Sequence, residues 1–315
     1  MNTSEPAEMV AVGAADVELR TLGEGRFELL TGARKFVLRI TDEQEKALSE
    51  IVTDILPKLF RTVPLREQVT AADIELLAPY VKQLASMGVL LFPRQSIETV
   101  ADLRLYSFIA RRTSEPDKVF GSVKAKSVTL TGPDRLTTVF AGLLRDQGLT
   151  VDGAGAHSRK DADADAGAGA GAALTVAVSL GDEAELDDIN RRLCGEGRSW
   201  LPVLVTPDQL RLGPWTMPGE SACPRCYGPP RPVADDLPAT GSWLTLQPGF
   251  LGWAGGVLAH MTMRGFVPMG AEHPWGRITT IDAARCEQTS LRAWRNPYCA
   301  VCAPHAPARQ EWAEV

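Results

Sequence analysis

The chain has 315 residues, 33 Lys and Arg against 39 Asp and Glu, a net charge of -6, and 44% hydrophobic and 23% charged residues. That length supports two cores, while a pI near 5.4 supplies no chain-wide basic field for phosphate backbones, so nucleic acid is not an expected partner. The N-terminus lacks the basic and apolar regions of a signal peptide, and no run approaches the roughly 18 apolar residues of a spanning helix. A soluble, cytoplasmic protein with no membrane partner is expected. Six cysteines in such a chain argue for thiols and metal ligation rather than a disulfide framework.

Residues 1–16 read as a disordered N-terminus. From 17 to 40 the chain reads as short strands, VELRTL, RFELL and KFVLRI, separated by Gly23-Glu24-Gly25 and Thr31-Gly32-Ala33. Phe36, Leu38 and Ile40 alternate with Lys35, Val37 and Arg39, the mark of a strand with one buried face. Thr41-Asp42-Glu43-Gln44 has capping-box form, and Leu48, Ile51, Val52, Ile55 and Leu59 follow at helical spacing, predicting a helix over about 42–60. A short second helix is expected over 64–72 and a third over 73–87, with Ile74, Leu77, Val81 and Leu84 on one face. Pro79 marks a kink in it or a later start. Gly88 ends it, and VLLF returns as a strand. Three strands, three helices and a returning strand make a small winged helix-turn-helix-like module over 17–95.

Residues 96–126 read as a connector with a helix through Leu103–Ala110. SVTLTG (127–132) is a strand running into a turn, and Leu136–Gln147 a helix closed by Gly148. The Ala/Gly/Asp-rich segment 153–173 has almost nothing to bury and is expected to be a flexible loop inside a continuous α/β pattern. LTVAVSL (174–180) and WLPVLV (200–205) have the uncharged, almost wholly apolar pattern of fully buried strands, with a helix over Glu183–Cys194 between them. QLRLGPW begins a hairpin leading to SACPRCY; Trp253–Arg264 reads as a buried helix, followed by hairpin-like RITTID and then RNPYCAVCAP. The α/β domain thus runs over 127–308, with a tail over 309–315.

Cys223 and Cys226 form one C-x-x-C and Cys299 and Cys302 another, with 72 residues between them. Two such turns supply four thiolates in a tetrahedron, the arrangement of structural Zn²⁺, and the two-residue spacer lets both sulfurs of a turn converge on one ion. A redox pair would instead open a helix after the first strand of a thioredoxin-like unit. A catalytic zinc would keep an open position, and all four ligands here are Cys. His305 is the one candidate to replace a ligand; His157, His260 and His273 lack a paired motif. Cys194 and Cys286 read as isolated thiols.

A nucleotide site would need a glycine-rich turn after SVTLTG. The sequence Thr131-Gly132-Pro133-Asp134 has one glycine and a proline without an N–H, and neither dinucleotide nor P-loop spacing occurs. No ATP binding is expected. No nucleophile elbow or H-E-x-x-H appears either, and Asp187-Asp188 reads as dipole complementarity at a helix start.

The run INRRLCGEGRSWLPVLVTPDQLRLGPWTMPGESACPRCY with the distal RNPYCAVCAP resembles the ThiF-like, ubiquitin-activating-enzyme-like domain of thiazole/oxazole-modified peptide biosynthesis, the ocin-ThiF-like or cyclodehydratase C-protein family. RFELLTGARKFVLRI and LAPYVKQLASMGVLL resemble the PqqD-like recognition element of ribosomal peptide pathways. The resemblance implies an α/β fold: a winged helix-turn-helix-like leader-binding module ahead of a degenerate ThiF-like domain with a structural zinc. It implies an accessory protein that captures the leader of a precursor peptide and presents the core to a YcaO enzyme. That partner uses ATP to cyclise Cys, Ser or Thr onto the preceding amide, giving azolines. The departure at TGPDRL agrees with lost ATP binding, and the resemblance leaves room for a homodimer. An extended leader would add to the edge at Lys35–Ile40 through main-chain groups, with pockets from the third helix. The candidates are Phe36, Val37, Leu38 and Arg39 on the strand and Leu77, Tyr80, Val81 and Leu84 on the helix, each of which also reads as core. The alternative from the enzyme class is an active ThiF-type adenylating protein. A DNA-binding regulator would need more Lys and Arg than the third helix, with Asp73, Glu75 and Lys82, carries.

Overall fold

The computed structural model describes residues 6–23, 25–32, 34–152, 174–207, 209–230, 248–267 and 273–303. The segment 153–173 with His157, and the tail 309–315 with His305 ahead of it, lie outside the described residues. The chain divides into two units, Met1–Val123 and Lys124–Val315.

In the first unit, β2 (Val17–Gly23), β3 (Arg26–Thr31) and β4 (Arg34–Arg39) form an antiparallel sheet in that order, with Phe27 opposite Leu38 and Leu29 opposite Phe36. Gly32 turns β3 into β4 with φ +59°, a conformation that side chains other than glycine rarely adopt. The predicted alternation on β4 is present: Phe36 and Leu38 are partly buried against the core, while Lys35, Val37 and Arg39 are exposed.

The capping box at Thr41 starts α1 (Asp42–Glu50), with Gln44 returning a bond to the Thr41 N–H. The predicted helix to residue 60 does not stay α-helical. It widens into a π turn over Ile51–Ile55, where the Leu56 N–H reaches the Ile51 carbonyl, and then tightens into a 3-10 turn over Leu56–Lys58. Pro57, which has no N–H and crowds the carbonyl four residues back, forces the change. The predicted second helix is a single 3-10 turn, Leu65–Glu67. A second capping box, Thr70 with Asp73, starts α2 (Ala71–Leu77), earlier than the periodicity indicated. Pro79 breaks the run into a 3-10 turn, Ala78–Tyr80, and α3 (Val81–Met87) ends at Gly88 with φ +72°.

Composition alone predicts disorder up to residue 16, but β1 (Val12–Gly13) pairs antiparallel with β5 (Leu90–Leu91), and Ala11 and Val12 are fully buried. Apolar side chains and ladder hydrogen bonds offset the ordering entropy there. The weakly patterned 100–126 contains two helices, α4 (Val100–Ala110), capped by Thr99, and α5 (Pro116–Lys124). Leu103, Leu105, Tyr106 and Ile109 of α4 are buried.

The second unit is built on a seven-stranded mixed sheet in the order β12-β11-β10-β9-β8-β6-β7. β6 (Ser127–Thr131), β7 (Thr150–Asp152), β8 (Leu174–Leu180) and β9 (Trp200–Val205) are parallel. β10 (Gln209–Leu212), β11 (Arg277–Asp282) and β12 (Glu287–Arg292) continue antiparallel; RITTID forms the expected hairpin with β12, whereas QLRL pairs with β9 and β11 rather than with the residues up to Glu220. The uncharged, mostly apolar runs of β8 and β9 occupy the centre: β9 is buried along its whole length and β8 up to Ser179. α6 (Asp134–Asp146) and α7 (Glu183–Gly195) link the parallel strands. Helix Pro248–Phe266 packs on α6 so closely that a Cβ on Gly255 would lie 2.3 Å from Leu143. β12 is exposed throughout and is one edge of the sheet, with β7 at the other.

Candidate metal centre and peptide edge

Each C-x-x-C sits on a tight turn in the loop that follows a strand of the large sheet, β10 for the first and β12 for the second. After β10, the Thr216 hydroxyl donates to the Pro214 and Ala222 carbonyls, and the Ser221 hydroxyl accepts from the Met217 N–H at 2.7 Å. These bonds fix the loop that presents Cys223, the N-cap of the one-turn helix Pro224–Tyr227. Pro224 suits the first helical position because its missing N–H has no partner there. The Cys226 N–H closes the turn on the Cys223 carbonyl at 2.9 Å. After β12, the Cys299 N–H bonds Asn296 and the Ala303 N–H bonds Cys299, making the second turn.

The turns bring Cys223, Cys226, Cys299 and Cys302 together, with their Sγ atoms all within 4.8 Å of one another. Cys223 lies 3.9 Å from Cys226 and 3.7 Å from Cys299, and Cys226 lies 3.4 Å from Cys302. All four are free thiols, since a disulfide would need sulfurs about 2.05 Å apart. A tetrahedral ion with metal–sulfur bonds near 2.3 Å has sulfur–sulfur edges of about 3.8 Å. The observed separations fit that edge, so the cluster is compatible with a metal site. Three of the cysteines are buried and Cys226 is half-buried, which leaves little room for a water ligand.

Without a cation, this packing disfavours thiolates. The Cys194 thiol, together with burial, pushes Cys223 up, against the opposing Cys226 thiol and Asn190 amide. Cys226 is pushed up to about 12, first by the Cys223 thiol and then by burial. Cys302 is pushed up to about 11, by burial and then by Cys226. A divalent cation reverses the balance by taking the thiolates as ligands. Arg295 adds positive charge beside the cluster: it donates to the Cys302 carbonyl at 3.4 Å, and its buried Nε has no partner among the described residues.

The sequence reading missed an outer layer. Asn190 and Cys194, one turn apart on α7, are both fully buried; the Asn190 amide donates to Cys223 Sγ at 3.6 Å and accepts from the Cys194 thiol at 3.3 Å. Cys194 is therefore not an isolated thiol, because it packs against the cluster. The N-x-x-x-C spacing, which puts both side chains on one helix face, was the available signal. Asp187, read as a dipole partner, is buried and pairs with Arg191 and, at 3.8 Å, with Arg225 of the first cysteine turn. Cys286 is exposed, as a surface thiol should be.

In the first unit, β4 pairs only with β3 among the described residues, so its other edge is open. Val37, 57% exposed, and Arg39 face outward; Phe36 and Leu38 are half-buried. Of the helical candidates, Tyr80 and Val81 are half-buried, whereas Leu77 and Leu84 are fully enclosed in the core.

No protein-family model matches the chain, and no curated protein sequence matches it. The mixed α/β fold is consistent with the ThiF-like expectation, and it recurs in solved heterocyclases. The chain superimposes on a heterocyclase in complex with substrate and cofactor with a TM-score of 0.56 at 20% identity, over 94% of this chain and 40% of that one. For the heterocyclase TruD the values are 0.52, 20%, 93% and 42%. For E. coli MccB with succinimide they are 0.50, 12%, 93% and 100%. The chain thus spans about two fifths of the length of these heterocyclases. Among the described residues, no helix is long and apolar enough to cross a membrane.

Proposed function

We propose that this chain is a peptide-capturing partner of a YcaO-type cyclodehydratase. The first unit, over 17–95, is a PqqD-like recognition module that binds the leader of a ribosomally made precursor, and the second, over 127–308, is a scaffold stapled by Zn²⁺ at Cys223, Cys226, Cys299 and Cys302. The open edge of β4 carries the reading. Its unpaired N–H and C=O groups take an extended leader as a further strand with little sequence demand, and Val37, Arg39, Tyr80 and Val81 meet the leader's side chains. Phe36, Leu38, Leu77 and Leu84 hold that surface from beneath. The fold shared with heterocyclases supports assignment to the modification of ribosomal peptides.

The turn after β6 supports a scaffold rather than an adenylating enzyme. A phosphate cradle needs free backbone N–H groups at the head of the helix. Here Gly132 has φ +135°, and a Cβ on it would lie 2.3 Å from the Val178 carbonyl, so its lack of a side chain serves packing against β8. Pro133 brings no N–H, and the Asp134 carboxylate occupies the positive end of α6. Zinc bound by four thiolates supplies cohesion and no open coordination position for chemistry.

The test is binding of fluorescently labelled candidate leaders, taken from short reading frames beside the coding sequence, to the full-length chain and to Val37→Glu. Saturable binding to the wild type, weakened at least about tenfold in the variant at an unchanged melting temperature, is expected. Absence of binding by every candidate, or ATP–pyrophosphate exchange by the chain alone, would overturn the proposal.

A further inference from the structure

A cavity of about 700 Å³ in the first unit is lined by Arg34, Arg104, Arg111 and Arg112, with Asp16 as the single acidic lining residue. Such a concentration of guanidinium groups is unexpected in a chain of net charge -6. Arg111 is fixed: it pairs with Asp16, donates to the Thr31 hydroxyl at 2.7 Å, and lies against Gly32, where a Cβ would meet its guanidinium at 2.8 Å. Arg112 stacks on Phe108 with its guanidinium carbon 3.7 Å from the ring centroid and donates to the Phe108 carbonyl. The side chains of Arg34 and Arg104 are exposed and carry neither an ion pair nor a hydrogen bond among the described residues. Two fixed and two unpaired guanidinium groups therefore converge on one concavity, in the planar fork geometry that suits carboxylates.

Its position indicates what it receives. Arg34 is the first residue of β4, and Gly32 of the β3–β4 turn also lines the cavity. A strand added to the edge of β4 would have one end beside that turn, next to Arg34 and the mouth of the cavity.

We propose that the cavity receives two or more consecutive Asp or Glu side chains at the end of the peptide that pairs with β4, so that the first unit selects leaders bearing an acidic block beside an extended segment. This rests on the proposed binding of a leader at β4 and names its specificity. Main-chain pairing along β4 gives affinity, and the acidic block fixes which end of the peptide lies over the turn.

The experiment is selection of random peptides of about 12 residues, long enough to cover a six-residue strand and a flank, displayed against the full-length chain and against Arg34→Gln/Arg104→Gln. Neither substitution removes a side-chain bond among the described residues, so melting temperatures should agree. The wild type should enrich peptides with an acidic block at one end of an alternating apolar stretch, and the double variant should keep the stretch and lose the block. A selected acidic peptide should bind the variant about tenfold more weakly and weaken with salt, while its Asn/Gln counterpart changes with neither. Enrichment of extended peptides without acids overturns the cavity's role and leaves the β4 reading standing; no enrichment overturns both. Displacement of the acidic peptide by single-stranded RNA at comparable concentration would assign the cavity to phosphodiesters and also overturn the inference.

Discussion

Replacement of Cys223 by Ser tests the metal centre most directly. Cys223 is fully buried, its sulfur lies within 4 Å of two other cluster sulfurs, and it accepts the Asn190 amide, so no exposed neighbour can take its place. Structural zinc sites bind with about 10–16 kcal/mol in total, so one of four thiolates accounts for about 3–4 kcal/mol, a loss of two to three decades in affinity. At saturating metal that difference passes into folding stability by mass action, and for a unit of this size it lowers the melting temperature by about 6–15 °C. Metal analysis of the purified protein, competition with a chromophoric chelator and thermal denaturation with and without EDTA read these effects. Cys286→Ser, at an exposed thiol outside the cluster, is the control and should match the wild type. Stoichiometric zinc in Cys223→Ser with wild-type resistance to the chelator would refute the assignment of this sulfur as a ligand.

Cys194→Ser should retain one metal per chain but bind it about 10–100-fold more weakly, the usual cost of losing a second layer around a metal, as chelator titration would show. The pH dependence should have opposite signs in the two forms. With Cys223, Cys226 and Cys302 all raised, metal binding releases their protons, and apparent affinity should fall by at least about a thousandfold for each pH unit of acidification. In the metal-free protein these thiols favour the fold while protonated. That stability should be intact below the ordinary thiol value of 9.0 and be lost as pH rises toward 11 to 12, in melting temperatures measured across that range. Leu84→Ala should cost about 2–5 kcal/mol by opening a cavity in the first core, so denaturant unfolding, rather than peptide binding under native conditions, should register it.

The sequence by itself determined the elements whose cause is local or periodic. The capping box at Thr41, the one-sided alternation of β4, the uncharged, mostly apolar β8 and β9 and the αL stop at Gly88 depend on neighbours a few residues apart. The cysteine quartet was legible for a related reason, because a two-residue spacer on a turn already points both sulfurs the same way. Pro57 and Pro79 also declared interruptions, though not whether the chain would widen or tighten around them. Only the tertiary structure decided what lies beside what. Val12–Gly13 is ordered because Leu90–Leu91, far along the chain, supplies its partner strand. Cys194 joins the cysteine cluster because α7 packs there, and the four arginines converge because the end of α4 meets the β3–β4 turn. These are long-range juxtapositions, fixed when apolar faces are buried together, and no local spacing encodes them.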